Sequence, residues 1–113
     1  MHEFSITSSI IDILKNIAKE REIKKITKVN FLVNPYGGVE PESIKFYYKF
    51  LTKDDPVLKD ARLMFKKKKI KITCNQCGEC FEVFKLRTKC RKCAGIDVSI
   101  LFPEDIEIKS IEI

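Results

Sequence analysis

Apolar residues recur at three- and four-residue spacing through Ile6, Ile10, Ile13, Leu14, Ile17 and Ala18, the period of a helix that buries one face. Thr7, Ser8 and Ser9, with Lys15, Lys19 and Glu20, fall where that helix should meet water, and the pattern ends near Arg21. From Ile26 to Val33 the period drops to two, with Val29, Phe31 and Val33 alternating on one side of a predicted strand. Asn34, Pro35, Tyr36, Gly37 and Gly38 supply a turn. A second helix is expected next. Pro41 suits its first position, Glu40 and Glu42 complement the positive end of its dipole, and Ile44, Tyr47, Tyr48 and Leu51 share a face. The segment from Thr52 to Pro56 breaks it.

Extended structure resumes over Arg62 to Phe65, and the lysine run carries it towards Ile70 and Ile72. Val98 to Phe102 predicts a short strand interrupted by Pro103, and the last eight residues predict another. In that final strand Ile106 and Ile108 face one way, whereas Ile111 and Ile113 have the opposite parity. The register must shift, and a β-bulge at Lys109 or Ser110 is the simplest device. The element order implies an α+β fold: two helices packed on a three-stranded mixed sheet, with an inserted module that carries four paired cysteines. The strands flanking the second helix can pair in parallel through a right-handed crossover, and the C-terminal strand returns to the same sheet. Boundaries near Lys69 and Pro103 divide the chain into residues 1–68 plus 104–113, one α/β domain, and 69–103, a smaller module.

The module carries the most constrained chemistry. Cys74, Cys77, Cys90 and Cys93 form two CxxC pairs separated by twelve residues. Each CxxC turn points two sulfurs at a common centre, and two such turns suit one tetrahedral Zn(II) with Zn–S bonds of about 2.3 Å. A closed shell of four cysteines leaves no place for water, so the site is structural and the module zinc-ribbon-like. Gly78 after Cys77 and Gly95 after Cys93 both suit the knuckle turn. Cys77 and Cys80 also form a CxxC, so spacing alone lets zinc take Cys80 in place of Cys74; Gly78, just past the knuckle, favours Cys74 with Cys77.

Length and composition change this picture modestly. A segment of some thirty residues cannot bury enough apolar surface to fold alone, and structural zinc, at roughly 10–16 kcal/mol in finger-like peptides, makes up the difference. With 44% hydrophobic and 34% charged residues the chain has the composition of a soluble globular protein, and no stretch approaches the ~18 apolar residues of a membrane span. The N-terminus lacks a secretory pattern, so a cytoplasmic location is expected, where metal explains cysteines better than disulfides do.

Much of the net charge of +6 is local: Lys66, Lys67, Lys68, Lys69 and Lys71 lead into the cysteines, and Lys85, Arg87, Lys89, Arg91 and Lys92 surround the second pair. These cations either stabilise a zinc tetrathiolate of formal charge −2 or face an acidic partner.

His2 is the only histidine. It is too bulky for efficient removal of Met1, so the α-amine should stay on Met1. That amine, the His2 amide nitrogen and the imidazole can form fused chelate rings of the near-planar nitrogen kind that Ni(II) or Cu(II) prefers, and Glu3 can add its backbone nitrogen or a carboxylate.

The opening Met1-His2-Glu3, the Gly38-Val39-Glu40-Pro41-Glu42 segment, the paired CxxC turns and the terminal Lys109-Ser110-Ile111-Glu112 together resemble the HypA/HybF family of hydrogenase nickel-insertion accessory proteins, over the length of the chain. The resemblance implies a nickel metallochaperone of [NiFe]-hydrogenase maturation: Met1, His2 and Glu3 would hold Ni(II), with Glu40 a candidate fourth contributor, and a separate module would hold structural Zn(II). It implies a HypB-type GTPase and the hydrogenase large-subunit precursor as partners, and leaves a homodimer open. Two departures matter. Asn34-Pro35-Tyr36-Gly37 stands where the family often has Gly-Glu-Leu, so Pro35 replaces a glutamate. No histidine flanks the zinc cysteines, so Cys-to-His exchange with pH is not expected.

A different reading makes the chain a zinc-ribbon nucleic-acid binder, with the lysine run as its electrostatic face and Phe81 and Phe84 as stacking surfaces. No recognisable nucleic-acid signature accompanies the charge. An enzyme is disfavoured, because the zinc shell is closed and neither a phosphate loop nor an activated nucleophile is present.

Overall fold

The computed structural model describes residues 2–113, with His2 described by its backbone alone; Met1 lies outside the described residues. The first helix, α1, spans His2–Glu20. Its buried face is Thr7, Ile10, Ile11, Leu14 and Ala18, a rotation from the predicted one. Ile13 is 47% exposed, whereas Thr7 is fully buried. The threonine tolerates burial because its hydroxyl donates to the Glu3 carbonyl one turn back. The helix ends in a Schellman motif: Ile23 N–H donates to Ala18 O at 2.9 Å and Glu22 N–H to Lys19 O at 3.4 Å. Glu22 holds the left-handed position with φ of 53°, where glycine would be at ease.

Strand β1, Lys28–Val33, starts two residues later than predicted and buries Val29, Phe31 and Val33 as expected. Helix α2, Pro41–Leu51, begins at Pro41 with Glu40 as its N-cap. It turns Ile44 and Tyr48 inward, and the Tyr48 hydroxyl donates to the Leu58 carbonyl at 2.7 Å, so a phenol can sit in the core with its polar end satisfied. Burial, and then the Asp55 carboxylate, push that phenol's pKa up. Strand β2, Arg62–Lys67, pairs in parallel with β1, and β6, Ile106–Glu112, pairs antiparallel on its other side. The sheet order is thus β2-β1-β6, a mixed three-stranded sheet under two helices.

The parity problem in the last strand resolves at Lys109. Asn30 faces Ser110 and Phe31 faces Ile108, so Lys109 is the extra residue of a bulge. The shift brings Ile106, Ile108 and Ile111 to the core side together. Ile113 follows the strand and stays 76% exposed. The core they complete is built on Leu14, Ile26, Val29, Phe31, Ile44 and Leu58, each fully or nearly fully buried. At about 1.5–3 kcal/mol per such side chain, this core accounts for most of what holds the helices to the sheet.

The lysine run does not extend β2 into the next strand. Lys68 N–H closes the last rung to Val33 O at 2.8 Å, and the chain then leaves the sheet. Strands β3 (Ile70–Cys74), β4 (Cys80–Val83) and β5 (Val98–Leu101) form a second, antiparallel sheet in the order β4-β3-β5. Phe102 falls outside β5, which ends one residue earlier than predicted. This sheet has its own core of Ile70, Ile72 and Phe81. Two centres of burial make the molecule long, 55 × 28 × 17 Å, with a radius of gyration of 17.9 Å against about 13 Å for one compact domain of this length. The sheets are tied by Asn34, whose amide donates to Pro103 O at 3.3 Å, and by the Leu86 N–H, which donates to the Tyr36 hydroxyl at 3.0 Å.

Candidate metal centre

Cys74 ends β3, Cys77 follows on the turn to β4, and Cys90 and Cys93 lie on the turn before β5. The two turns are built alike. Gly78 N–H donates to Cys74 O and Ala94 N–H to Cys90 O, both at 3.0 Å, while Cys74 N–H reaches Glu79 O at 2.8 Å and Cys90 N–H reaches Gly95 O at 2.9 Å. The residue after the second cysteine must be left-handed, and φ is 79° at Gly78 and 60° at Ala94. In the second knuckle it is therefore Ala94, not Gly95, that takes the strained position. Gly95 serves by lacking a side chain: a Cβ there would run into the Gln76 side-chain amide first and would also crowd Cys93 Sγ at 3.2 Å.

All four sulfurs lie within 4.8 Å of one another, with Cys74–Cys93 and Cys77–Cys90 at 3.6 Å. Tetrahedral zinc with bonds of about 2.3 Å requires sulfur separations of about 3.8 Å, so the cluster fits the ion. Backbone amides already point at the sulfurs, Lys92 N–H to Cys90 Sγ at 3.3 Å and Cys77 N–H to Cys74 Sγ at 3.4 Å. Across the turns Asn75 Nδ2 donates to Asp97 Oδ1 at 3.0 Å and to Ser99 Oγ at 3.1 Å, fixing the first knuckle against β5. That clamp has no signature in the sequence, because Asn75 belongs to no motif of its own.

Four thiols in contact do not titrate alike. The amide of Cys93, chiefly, draws Cys90 down to about 6, and the amide of Cys77 lowers Cys74. Cys77 moves the other way, to about 12: the Glu79 amide lowers it, but burial and the neighbouring thiols outweigh that amide. Cys93 is also raised, its Gly95 amide outweighed by the Cys74 contact and burial. A bound divalent cation would displace every remaining proton, since thiolate is the ligand.

Cys80 points elsewhere. It opens β4, is exposed, and contacts the Thr73 hydroxyl at 3.4 Å. The cluster contains Cys74 and excludes Cys80.

Of the other candidate residues, Glu3 and Glu40 lie on elements other than those that carry the cluster. Met1 is outside the described residues, and His2 begins α1. Glu3 lies in the first turn of α1, and Glu40 caps α2, its carboxylate accepting from Glu42 N–H at 3.4 Å. Phe4 packs edge-on against Tyr47 of α2 at 5.4 Å, which fixes the start of α1 on the second helix.

Four of the basic residues have local neighbours. Lys68 pairs with Glu107 at 3.0 Å, Lys69 sits 5.6 Å over the Phe84 ring, and Lys71 faces Glu82 across the strands. Arg91 contacts Glu79 at 3.3 Å and lies 5.0 Å from the Phe81 ring, which is itself buried in the module's core. Phe81 is therefore no stacking platform, and the nucleic-acid reading is not favoured. No described helix is long and apolar enough to cross a membrane.

Fold and cluster define a small α+β protein whose second sheet carries a four-cysteine metal centre. A family model described as hydrogenase/urease nickel incorporation, metallochaperone, hypA matches residues 1–113. Hydrogenase maturation factor HypA of Caldanaerobacter subterraneus subsp. tengcongensis is 39% identical over 100% of this chain and 99% of its own. That of Aquifex aeolicus is 32% identical over 100% and 97%. The solution structure of a HypA protein superposes with a TM-score of 0.72 at 26% identity, covering 99% of this chain and 95% of that one. The nickel metallochaperone HypA from Helicobacter pylori, at 24% identity, shares the fold with a TM-score of 0.67 over 97% and 95%. The chain belongs to the HypA family of nickel-incorporation metallochaperones. Its role is that of a maturation factor for hydrogenase and not of an enzyme, and it works with the machinery of that maturation.

Proposed function

We propose that Met1, His2 and Glu3 hold the carried Ni(II), with Glu40 a further contributor, and that Cys74, Cys77, Cys90 and Cys93 hold a permanent Zn(II). The observation that carries this division is the closure of the sulfur cluster. Four converging thiolates complete a tetrahedron by themselves, so a cargo that must leave needs another site. An amine, an amide nitrogen and an imidazole at a chain end supply one whose ligands a recipient can replace in turn. Glu40 accepts its cap hydrogen bond through Oε1, which leaves Oε2 for a ligand.

The chain divides functionally into residues 1–68 plus 104–113, which carry nickel, and 69–103, which the zinc braces. The separate cores of the two sheets support that division. A HypB-type GTPase and the precursor of the [NiFe]-hydrogenase large subunit are the partners this reading assigns, in the cytoplasm.

Nickel titration of untagged protein, with zinc measured in parallel, tests the assignment. Wild type should bind one Ni(II) per chain, and His2→Ala should lose it while zinc content stays unchanged. Equal nickel binding by both proteins would sink the proposal.

A further inference from the structure

Helix α2 buries Ile44 and Tyr48, yet its opposite side is not simply polar. Phe46 and Phe50, one turn apart, are 69% and 60% exposed. Lys49 lies between them on the same stripe, and Lys53, just past the helix, holds its ammonium 5.2 Å from the Phe50 ring. The aromatic surface continues sideways. Phe46 meets Tyr47 edge-on at 5.5 Å, and Tyr47 meets Phe4, itself 42% exposed, at 5.4 Å. Large exposed rings grouped in this way on a helix mark a contact surface, because they are absent from ordinary solvated faces and supply the anchor energy of interfaces.

We infer that the Phe46–Lys49–Phe50 stripe of α2, extended through Tyr47 to Phe4, is the docking surface for an acidic protein partner that presents apolar side chains among its carboxylates. The charges choose the occupant. Lys49, between the two rings, and Lys53, beside Phe50, are basic, and the acids of the same row, Glu42 and Asp54, lie beyond its outer ends. Phe4 stands two residues beyond His2, so a partner seated here lies beside the amino end. That it thereby adjoins the carried nickel rests on the Met1-His2-Glu3 reading proposed above.

The test uses untagged, zinc-loaded full chain labelled with ¹⁵N. The probe is a synthetic helical peptide with leucines at three- and four-residue spacing and glutamates between them; its control has lysine for every glutamate. The glutamate peptide should shift amide resonances of α2 and Phe4 and leave the cysteine turns unmoved. A Phe46→Ser/Phe50→Ser variant, whose exposed positions leave its melting temperature near wild type, should bind about tenfold or more weakly. Lys49→Glu/Lys53→Glu should reverse the preference and bind the lysine peptide. His2→Ala should bind the glutamate peptide as wild type does, so a failure of the nickel assignment is read separately from a failure of docking.

The inference is overturned by absence of binding, by equal binding to the serine variant, or by shifts that map to the zinc module. Adsorption to phosphatidylglycerol vesicles without peptide binding would assign the stripe to a membrane surface instead. A dimer in sedimentation that Phe50→Ser dissolves would assign it to a second copy.

Discussion

The two sheets hold together by different physics. The β2-β1-β6 sheet closes over ten buried apolar or aromatic side chains with two helices on top, enough to be stable by burial alone. The β4-β3-β5 sheet has three, and its turns converge on four sulfurs. A segment of that size lies below the roughly 40 residues at which a hydrophobic core usually suffices. The contrast explains why a metal is needed in one region and not in the other, since zinc replaces the core that the module is too short to build.

The sharpest way to break this comparison is to remove the metal. Chelation, or Cys90→Ser, should collapse the amide dispersion of β3, β4 and β5 while the α1 and α2 resonances persist, since structural zinc contributes roughly 10–16 kcal/mol in comparable modules. Simultaneous loss of both helices would show that the regions are one cooperative unit. The converse change is Leu14→Ala in the larger core, where the side chain is fully buried. It should cost about 2–5 kcal/mol in denaturant unfolding with zinc stoichiometry unchanged.

A smaller effect, of opposite sign, is expected at the end of α1. Glu22→Gly removes a side chain from a left-handed position and should raise stability by about 0.5–1 kcal/mol, read from the same unfolding curve. Least of all should change in Cys80→Ser. Zinc content should be that of wild type, and a loss of metal there would redraw the ligand set.

What the sequence made legible was whatever has a period or a spacing. The four cysteines and the misplaced parity of Ile111 each admit few geometric solutions, and the cluster and the bulge at Lys109 are those solutions. The buried face of α1 is harder to place, because the rule that isoleucine points inward and threonine outward fails there. Thr7 satisfies its hydroxyl within the helix, which lets Ile11 turn in and Ile13 turn out. Ala94 gives no sign of being left-handed because alanine carries no signature for that conformation, and Gly95 next to it does. The α2 stripe is hidden for a related reason: from composition, an exposed phenylalanine looks the same as a core one. The amino end stands out by residue chemistry alone, through the single histidine of the sequence.

The insertion of the module between β2 and β6 also bears on the order in which the chain assembles. β6 must find the paired β1 and β2 across an intervening loop of about forty residues that follows β2. Once zinc has closed the module, Lys71 lies opposite Leu101, and the path from β2 to β6 shortens to about ten residues. The shortening lowers the entropy cost of closing the larger sheet by about 1 kcal/mol. An ion remote from the helices thus acts on them as a splint, by holding together the two ends of the chain that must meet in the sheet beneath them.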